Sequence, residues 1–244
     1  MVRPRWGRVV TVFVVLAAAA GCGTVAAAGG SNGNQEFVDD IAAQLSGAST
    51  QAYTAVYALG RGATGTVAQE PTTERSSYTY PDGVTVVTSD GATVCHTAGS
   101  RPTGPCTRYS SVDAAAPDIA RGGLIRTESV ITMLSSAATD RDAIVSEQDT
   151  TIAGTSATCI TVTSGAENTD QYKVCVIADG LLGSFHGTWD GATIDVMMVS
   201  FRKSVSADAF RLPSGATVSS PTPSAASPGT TPASPGSTPP SSSG

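Results

Sequence analysis

Lysine is almost missing from this chain of 244 residues: Lys173 and Lys203 are the only two among 14 basic residues. Histidine is as scarce, with His96 and His186 alone. Past residue 21 the balance is 11 bases against 20 acids, a net charge of −9. That excess argues against nucleic acid and an anionic membrane surface as electrostatic partners. The one Gly-x-Ser-x-Gly match, Gly29-Gly30-Ser31-Asn32-Gly33, follows an alanine run and not a strand, and no phosphate-cradling glycine loop or acidic metal cluster occurs in the sequence. The commoner signatures of hydrolysis, phosphoryl transfer and metal chemistry are thus lacking in their required setting. Ser200-Phe201-Arg202-Lys203 spells Ser-x-x-Lys, but that element has to open a helix and be joined by Lys-Thr-Gly. Here it ends an expected strand, and Lys-Thr-Gly is absent. Nothing argues for an enzyme, a cofactor or a metal site.

What the chain does have begins at its N-terminus. Arg3, Arg5 and Arg8 precede an apolar stretch over 9–20, followed by Gly21 and Cys22. A positive segment, a short apolar segment and a small-residue processing site make a secretory signal peptide. Its end, Ala19-Ala20-Gly21-Cys22, resembles the lipobox of bacterial lipoproteins, with Ala19 where Leu or Val is commoner. The resemblance implies that residues 1–21 are removed and that Cys22 is acylated, palmitate-type chains tying the protein to the outer face of the cell membrane. Two chains make such anchoring stable where one is marginal. Two other readings stand beside it. Cleavage after Ala28 releases a free protein, and no cleavage leaves 9–28, about long enough to span a bilayer.

Cysteine arithmetic fits export. Five cysteines are odd, but with Cys22 lipidated the remaining Cys95, Cys106, Cys159 and Cys175 can form two bridges. An oxidising compartment keeps them. Four cysteines allow three connectivities. The local pairs Cys95–Cys106 and Cys159–Cys175 are preferred, because the second lets Ile160 face Val174 and Val162 face Tyr172. That use leaves Cys95-His96 and Cys106 with too few ligands for a metal.

Half of all 14 prolines fall in residues 219–244, a stretch without charge or aromatics. It cannot bury enough apolar surface to offset its ordering entropy and is expected as an extended, Ser/Thr-rich tail. Residues 22–33 are expected as a flexible tether and 34–218 as one α+β domain.

Within the domain, Phe37, Ile41 and Leu45 recur every four residues and predict a helix over 35–45. From residue 53 the period is two. Four Asp-Gly pairs follow, at 82–83, 90–91, 179–180 and 190–191. Asp-Gly between β-like runs signals a two-residue hairpin whose central residues both take positive φ. They delimit strands at 75–80, 84–89, 92–96, 172–178, 181–189 and 192–200. A second helix is read over 127–138, with Ile131, Leu134 and Ala138 on one face. Helix, strands, helix, strands is an antiparallel α+β order, not a βαβ alternation.

A two-residue turn at Asp190-Gly191 sets Phe185 opposite Val196, Gly187 opposite Ile194, Gly183 opposite Met198 and His186 opposite Asp195. The His-Asp pair reads as structural. One face then gathers Leu181, Phe185, Trp189, Ile194, Val196 and Met198, with gaps at Gly183 and Gly187. Glycine inside a strand marks a bulge, a bend or close approach by something else. Leu181, Gly183, Phe185, Gly187, Ile194, Val196 and Met198 are therefore the candidate ligand cavity, with a bend of the sheet as the alternative.

The order of a leading helix, a strand from Tyr53, Gly65-Thr66-Val67, a Tyr80-Pro81-Asp82-Gly83 hairpin, Asp179-Gly180-Leu181-Leu182, a long strand pair and the close at 207–213 resembles the lipoprotein-carrier superfamily, which includes lipid-carrying lipoproteins of mycobacteria. The resemblance implies an incomplete, strongly curved antiparallel β-barrel with helices packed on its concave side. It also implies a lipid or other apolar ligand, carried by a membrane-anchored envelope lipoprotein. The alternative is a non-carrier extracytoplasmic interaction or sensor module with a filled core.

Overall fold

The computed structural model describes residues 31–164 and 170–220. The signal peptide, Cys22, the first part of the tether and the tail beyond 220 lie outside the described residues. Helix α1 (Ser31–Ala48) leads into strands β1 (Tyr53–Leu59), β2 (Thr64–Glu70), β3 (Arg75–Tyr80), β4 (Gly83–Thr88) and β5 (Gly91–Ala98). Two short strands, β6 (Arg101–Pro102) and β7 (Cys106–Tyr109), precede helices α2 (Val112–Arg121) and α3 (Thr127–Thr139). Then come β8 (Ile144–Ile152), β9 (Thr155–Ser164), β10 (Asp170–Ile177), β11 (Leu182–Trp189), β12 (Ala192–Arg202) and the two-residue β13 (Val218–Ser219).

The strands form one sheet in the order β13-β7-β5-β4-β3-β2-β1-β12-β11-β10-β9-β8, with β6 as a branch on β5. Every pair is antiparallel except β13 along β7. The two strand runs join in the middle, where β1 pairs with β12. The sheet curves without closing, so the expected incomplete barrel is the observed architecture. The three helices lie against one face of it and share its core.

The helical seams sit one residue from where the four-residue period put them. In α1 the buried row is Val38, Ile41, Leu45 and Ala48, and Phe37 is 44% exposed. In α3 it is Val130, Leu134 and Ala137, while Ile131 and Ala138 are only partly covered. Spacings of three and four both keep one helix face, so a one-residue slip leaves Ile41, Leu45 and Leu134 common to both readings. Helix α1 also starts earlier than expected, at Ser31.

Helix α2 had no sequence counterpart, since Pro117 falls inside it. Its start is fixed by Ser111, whose hydroxyl accepts from the Ala114 amide at 3.3 Å. Ala115 and Ile119 are fully buried beneath it.

Of the four Asp-Gly pairs, only Asp190-Gly191 has both residues at positive φ, 49° and 74°. Gly91 and Gly180 alone turn left-handed at theirs, and neither Asp82 nor Gly83 does. The second turn of this kind is Ala153-Gly154, at 50° and 78°, between β8 and β9. Without an Asp or Asn it carried no turn signal, and β8, rich in polar residues, went unread with it.

Both local disulfides are formed, Cys95–Cys106 and Cys159–Cys175. Cys175 faces Cys159 across the β9–β10 ladder, with Ile160 opposite Val174 and Val162 opposite Tyr172 as expected. The other bridge lies on the sheet face away from the helices, where Val84 and Val86 form a second small core. Phe210, Leu212 and Ala216 of the returning C-terminal segment cover it. Arg75 stacks over the Phe210 ring at 4.6 Å, and the Cys106 amide donates to the Thr217 carbonyl at 2.7 Å.

Candidate functional site

The face singled out by its glycine gaps exists in the expected register. Phe185 lies opposite Val196, Gly187 opposite Ile194 and His186 opposite Asp195. Gly183 is skipped at an irregularity of the β10–β11 ladder, between the pairs Cys175–Ser184 and Val176–Leu182. Leu181, Phe185, Ile194, Val196 and Met198 are each 2% exposed or less. Fully burying a side chain of this size stabilises by about 1.5–3 kcal/mol.

Neither glycine leaves a gap. A Cβ added at Gly187 would stand 2.6 Å from the Cβ of Tyr172 and 3.2 Å from the Phe185 ring. One at Gly183 would stand 3.1 Å from both Ile152 Cδ1 and Ile177 Cγ2. The Tyr172 and Phe185 rings stack with centroids 6.3 Å apart, and the Tyr172 hydroxyl donates to the Met133 carbonyl of α3. The close approach that glycine permits comes from the protein's own side chains.

Crevices open elsewhere. One of about 220 Å³ lies between α1 and α3 over Tyr53, and one of about 270 Å³ lies where Gln44 of α1 faces β8, β9 and β10. Both are below the roughly 300–1,000 Å³ of ordinary ligand pockets. A shallower one of about 480 Å³ lies between α2 and the β11–β12 turn, bounded by Asp113, Pro117, Trp189 and Asp190.

Between α2 and α3 a buried arginine organises the polar contacts. Arg126 has a side chain 9% exposed; Nη1 donates to Asp113 Oδ1 at 2.6 Å, and Nη2 lies 3.3 Å from Glu128 Oε2. Its Nε has no acceptor. Burial alone would lower the Arg126 pKa, but the Asp113 hydrogen bond and the Glu128 charge outweigh it and keep the guanidinium ionised. Tyr78 sits beside it. Burial, with the Glu128 carboxylate adding to it, pushes the Tyr78 hydroxyl up to about 12. Burial likewise raises Tyr53, Tyr57 and Tyr172, and the Tyr57 hydroxyl donates to the Leu182 carbonyl at 2.8 Å. These phenols stay neutral at physiological pH. The arrangement clamps helices to sheet, with no nucleophile beside a base.

The other sequence candidates are scattered. His186 Nδ1 is 3.5 Å from Asp195 Oδ1, both side chains being well exposed. His96 is exposed on β5. Ser200 ends up on β12, and Lys203 pairs with Asp179 across the domain, away from any helix start. No group of three or more potential metal ligands occurs among the described residues.

One edge of the sheet stands out. Strand β8 pairs with β9 over nine consecutive residue pairs without an irregularity, and with no other strand among the described residues. Ser146 to Thr151 are all exposed along it. Sequence reasoning missed this strand. What signal it had was weak: β-permissive Ile, Val and Thr among polar residues, with Gly154 alone to mark the turn.

No protein-family model matches the sequence, and no curated protein matches it. Similar solved structures include an uncharacterized conserved protein from Thermus thermophilus, at 11% identity and a TM-score of 0.48 over 75% of this chain and 99% of that one. A chain of the Pseudomonas aeruginosa MucA/MucB complex aligns at 13% identity and a TM-score of 0.47, over 72% of this chain and 60% of that one. A chain of MucB in complex with MucA(peri) aligns at 10% identity and 0.43, over 68% and 56%. At such low identity and overlap the likeness carries no functional assignment.

Proposed function

We propose that this protein is an exported interaction module, tethered by lipid at Cys22 to the outer face of the cell membrane, whose core is filled and whose surface engages another protein. The observation that carries this reading is the packing at Gly183 and Gly187, where Ile152, Ile177 and Tyr172 occupy the space an apolar ligand would need. The two disulfides support an oxidising compartment. The carrier reading requires that face to open, and the stacked Tyr172–Phe185 pair opposes opening.

Wild-type and Cys22→Ala proteins exported from a bacterial host with lipoprotein processing, weighed by native and solvent-extracted mass spectrometry, test both halves. Covalent acyl mass is expected on the wild type alone, and no stoichiometric apolar molecule on either. A bound lipid on the Cys22→Ala protein would overturn the filled-core reading in favour of a carrier. Absence of acyl mass on the wild type would overturn the tether.

A further inference from the structure

The two ends of the sheet are finished differently. At one, β13 is two residues long and lies parallel on β7. A short terminal strand is a common protection against pairing with other chains. At the other end β8 runs for nine residues with no proline, no lysine and no bulge. Of the usual protections of an edge only charge is present there, in Glu147 and Asp149.

The turn fixes which backbone groups are free. With Ala153 and Gly154 both left-handed, Ile152 and Thr155 flank a two-residue hairpin and exchange both ladder bonds. Alternation from that pair turns the N–H and C=O groups of Thr151, Asp149, Glu147 and Val145 toward the open side. The only carboxylates of β8 are at 147 and 149, and neither has a cationic partner among the described residues. Asp149 also borders the crevice of about 270 Å³ that reaches back past Thr158 to Val176 and Gln44. Its wall mixes Ala157, Val176 and Ala178 with Gln44, Ser156 and Thr158, a lining that can take both the methylene stem and the charged head of a long basic side chain.

We propose that β8 is a strand-addition edge: it takes an extended segment of another protein, with Lys or Arg at alternate positions reaching Glu147 and Asp149. This rests on the interaction-module reading and names its partner chemistry. Main-chain bonds would supply affinity and the alternate side chains specificity. A second copy of this chain fits worse. Antiparallel β8–β8 pairing centred on Gln148 sets Glu147 against Asp149 of the other copy, and like charges directly opposite destabilise a ladder. The protein's own tail fits worse too, because residues 219–244 carry no charge.

The test uses the full mature protein in detergent micelles and a fluorescent nine-residue peptide alternating Lys with Thr and Val, acetylated and amidated. The expected result is anisotropy-detected binding below about 1 mM, at least about 10-fold weaker after backbone N-methylation at alternate residues. Glu147→Lys with Asp149→Lys is expected to lose the Lys peptide and gain its Glu counterpart while both disulfides and the melting temperature are retained. Val145→Pro, which removes one outward N–H only, checks the ladder separately and is expected to weaken binding. No binding at about 1 mM, equal binding of Lys and Glu peptides, or indifference to N-methylation overturns the proposal. So does a concentration-dependent dimer abolished by Val145→Pro, or an intrachain crosslink from β8 to residues 221–244. A bound lipid in the mass measurement would sink the filled-core reading while leaving a positive peptide result standing. An apo mass with no peptide binding sinks only the edge.

Discussion

Strands β4 and β12 are both rich in Val and β-branched residues, yet they are buried in different ways. In β12 burial alternates strictly from Thr193 to Val199, exposed then buried, as for a sheet covered on one side. In β4 four successive residues, Gly83 to Val86, are buried. The reason lies outside both strands. One face of β4–β5 meets α2 through Ala92, Val94 and Ala115, and the other is roofed by Phe210, Leu212 and Ala216. Toward β8 nothing comparable roofs the sheet among the described residues. Around β4 and β5 the sheet is thus covered on both faces and runs out to a strand of only two residues, while the half that ends at β8 is covered on one face and ends on a nine-residue open ladder. The open half is the one suited to a partner.

Raising the pH should break that comparison most strongly. Tyr53, Tyr57 and Tyr78 lie on β1 and β3, and Tyr172 alone lies on β10; burial raises the pKa of each. Below the unfolded value near 10 both states are protonated and stability does not depend on these groups. Above it the unfolded chain ionises first, so stability falls by about 1.4 kcal/mol per pH unit for each phenol until the folded value is passed. Absorbance at 295 nm should show these phenols titrating together with a cooperative unfolding step above pH about 10, the β1–β3 amides losing protection from hydrogen exchange with the rest. Free titration of all six tyrosines at their ordinary value in a folded protein would refute the buried assignment.

Deleting the disulfides singly sharpens the contrast. Each closes a short loop, with sequence separations of 11 and 16, and each loss should cost about 3 kcal/mol. Their local consequences should differ. Without Cys95–Cys106 the roof over Val84 and Val86 loses part of its footing, so cleavage by a protease between 206 and 219 should speed up several-fold. Without Cys159–Cys175 that segment should be cut no faster than global unfolding allows. Equal cleavage in the two double-alanine variants would remove the distinction between halves.

The smallest expected effect concerns the turn that starts the open edge. Ala153 holds φ 50°, a conformation that Asn tolerates better than Ala. Ala153→Asn should raise stability by about 0.5–1 kcal/mol in urea unfolding, with unchanged register at β8. A decrease would mean that the turn is not held in the left-handed region.

Legibility followed the same division. Around Asp190-Gly191 the turn chemistry is local, alternation is unbroken, and the pairs Phe185–Val196 and Gly187–Ile194 could be counted outward from it. The Cys159–Cys175 hairpin was readable for the same reason. Strand β2, helix α2 and strand β8 were not. Pro117 argued against a helix that Ser111 caps and the sheet packs, and β8 has polar side chains on both faces. For the site, the sequence identified which residues share a face and that glycines interrupt it, but not what approaches them.

The sequence by itself determined the α+β order, the two long hairpins around β11 and the negative balance, and favoured the local disulfide pairing among three, because each depends on residues near one another in the chain or on composition alone. Only the tertiary structure decided that Tyr172 and Ile152 fill the glycine positions, that residues 207–216 roof β4, and that β8 is left as the open edge. Those outcomes depend on contacts between segments 15 to more than 100 positions apart, as between Tyr172 and Gly187 or Val84 and Phe210. No local pattern reports which distant side chain arrives first to take a given space, and close packing allows only one to stay.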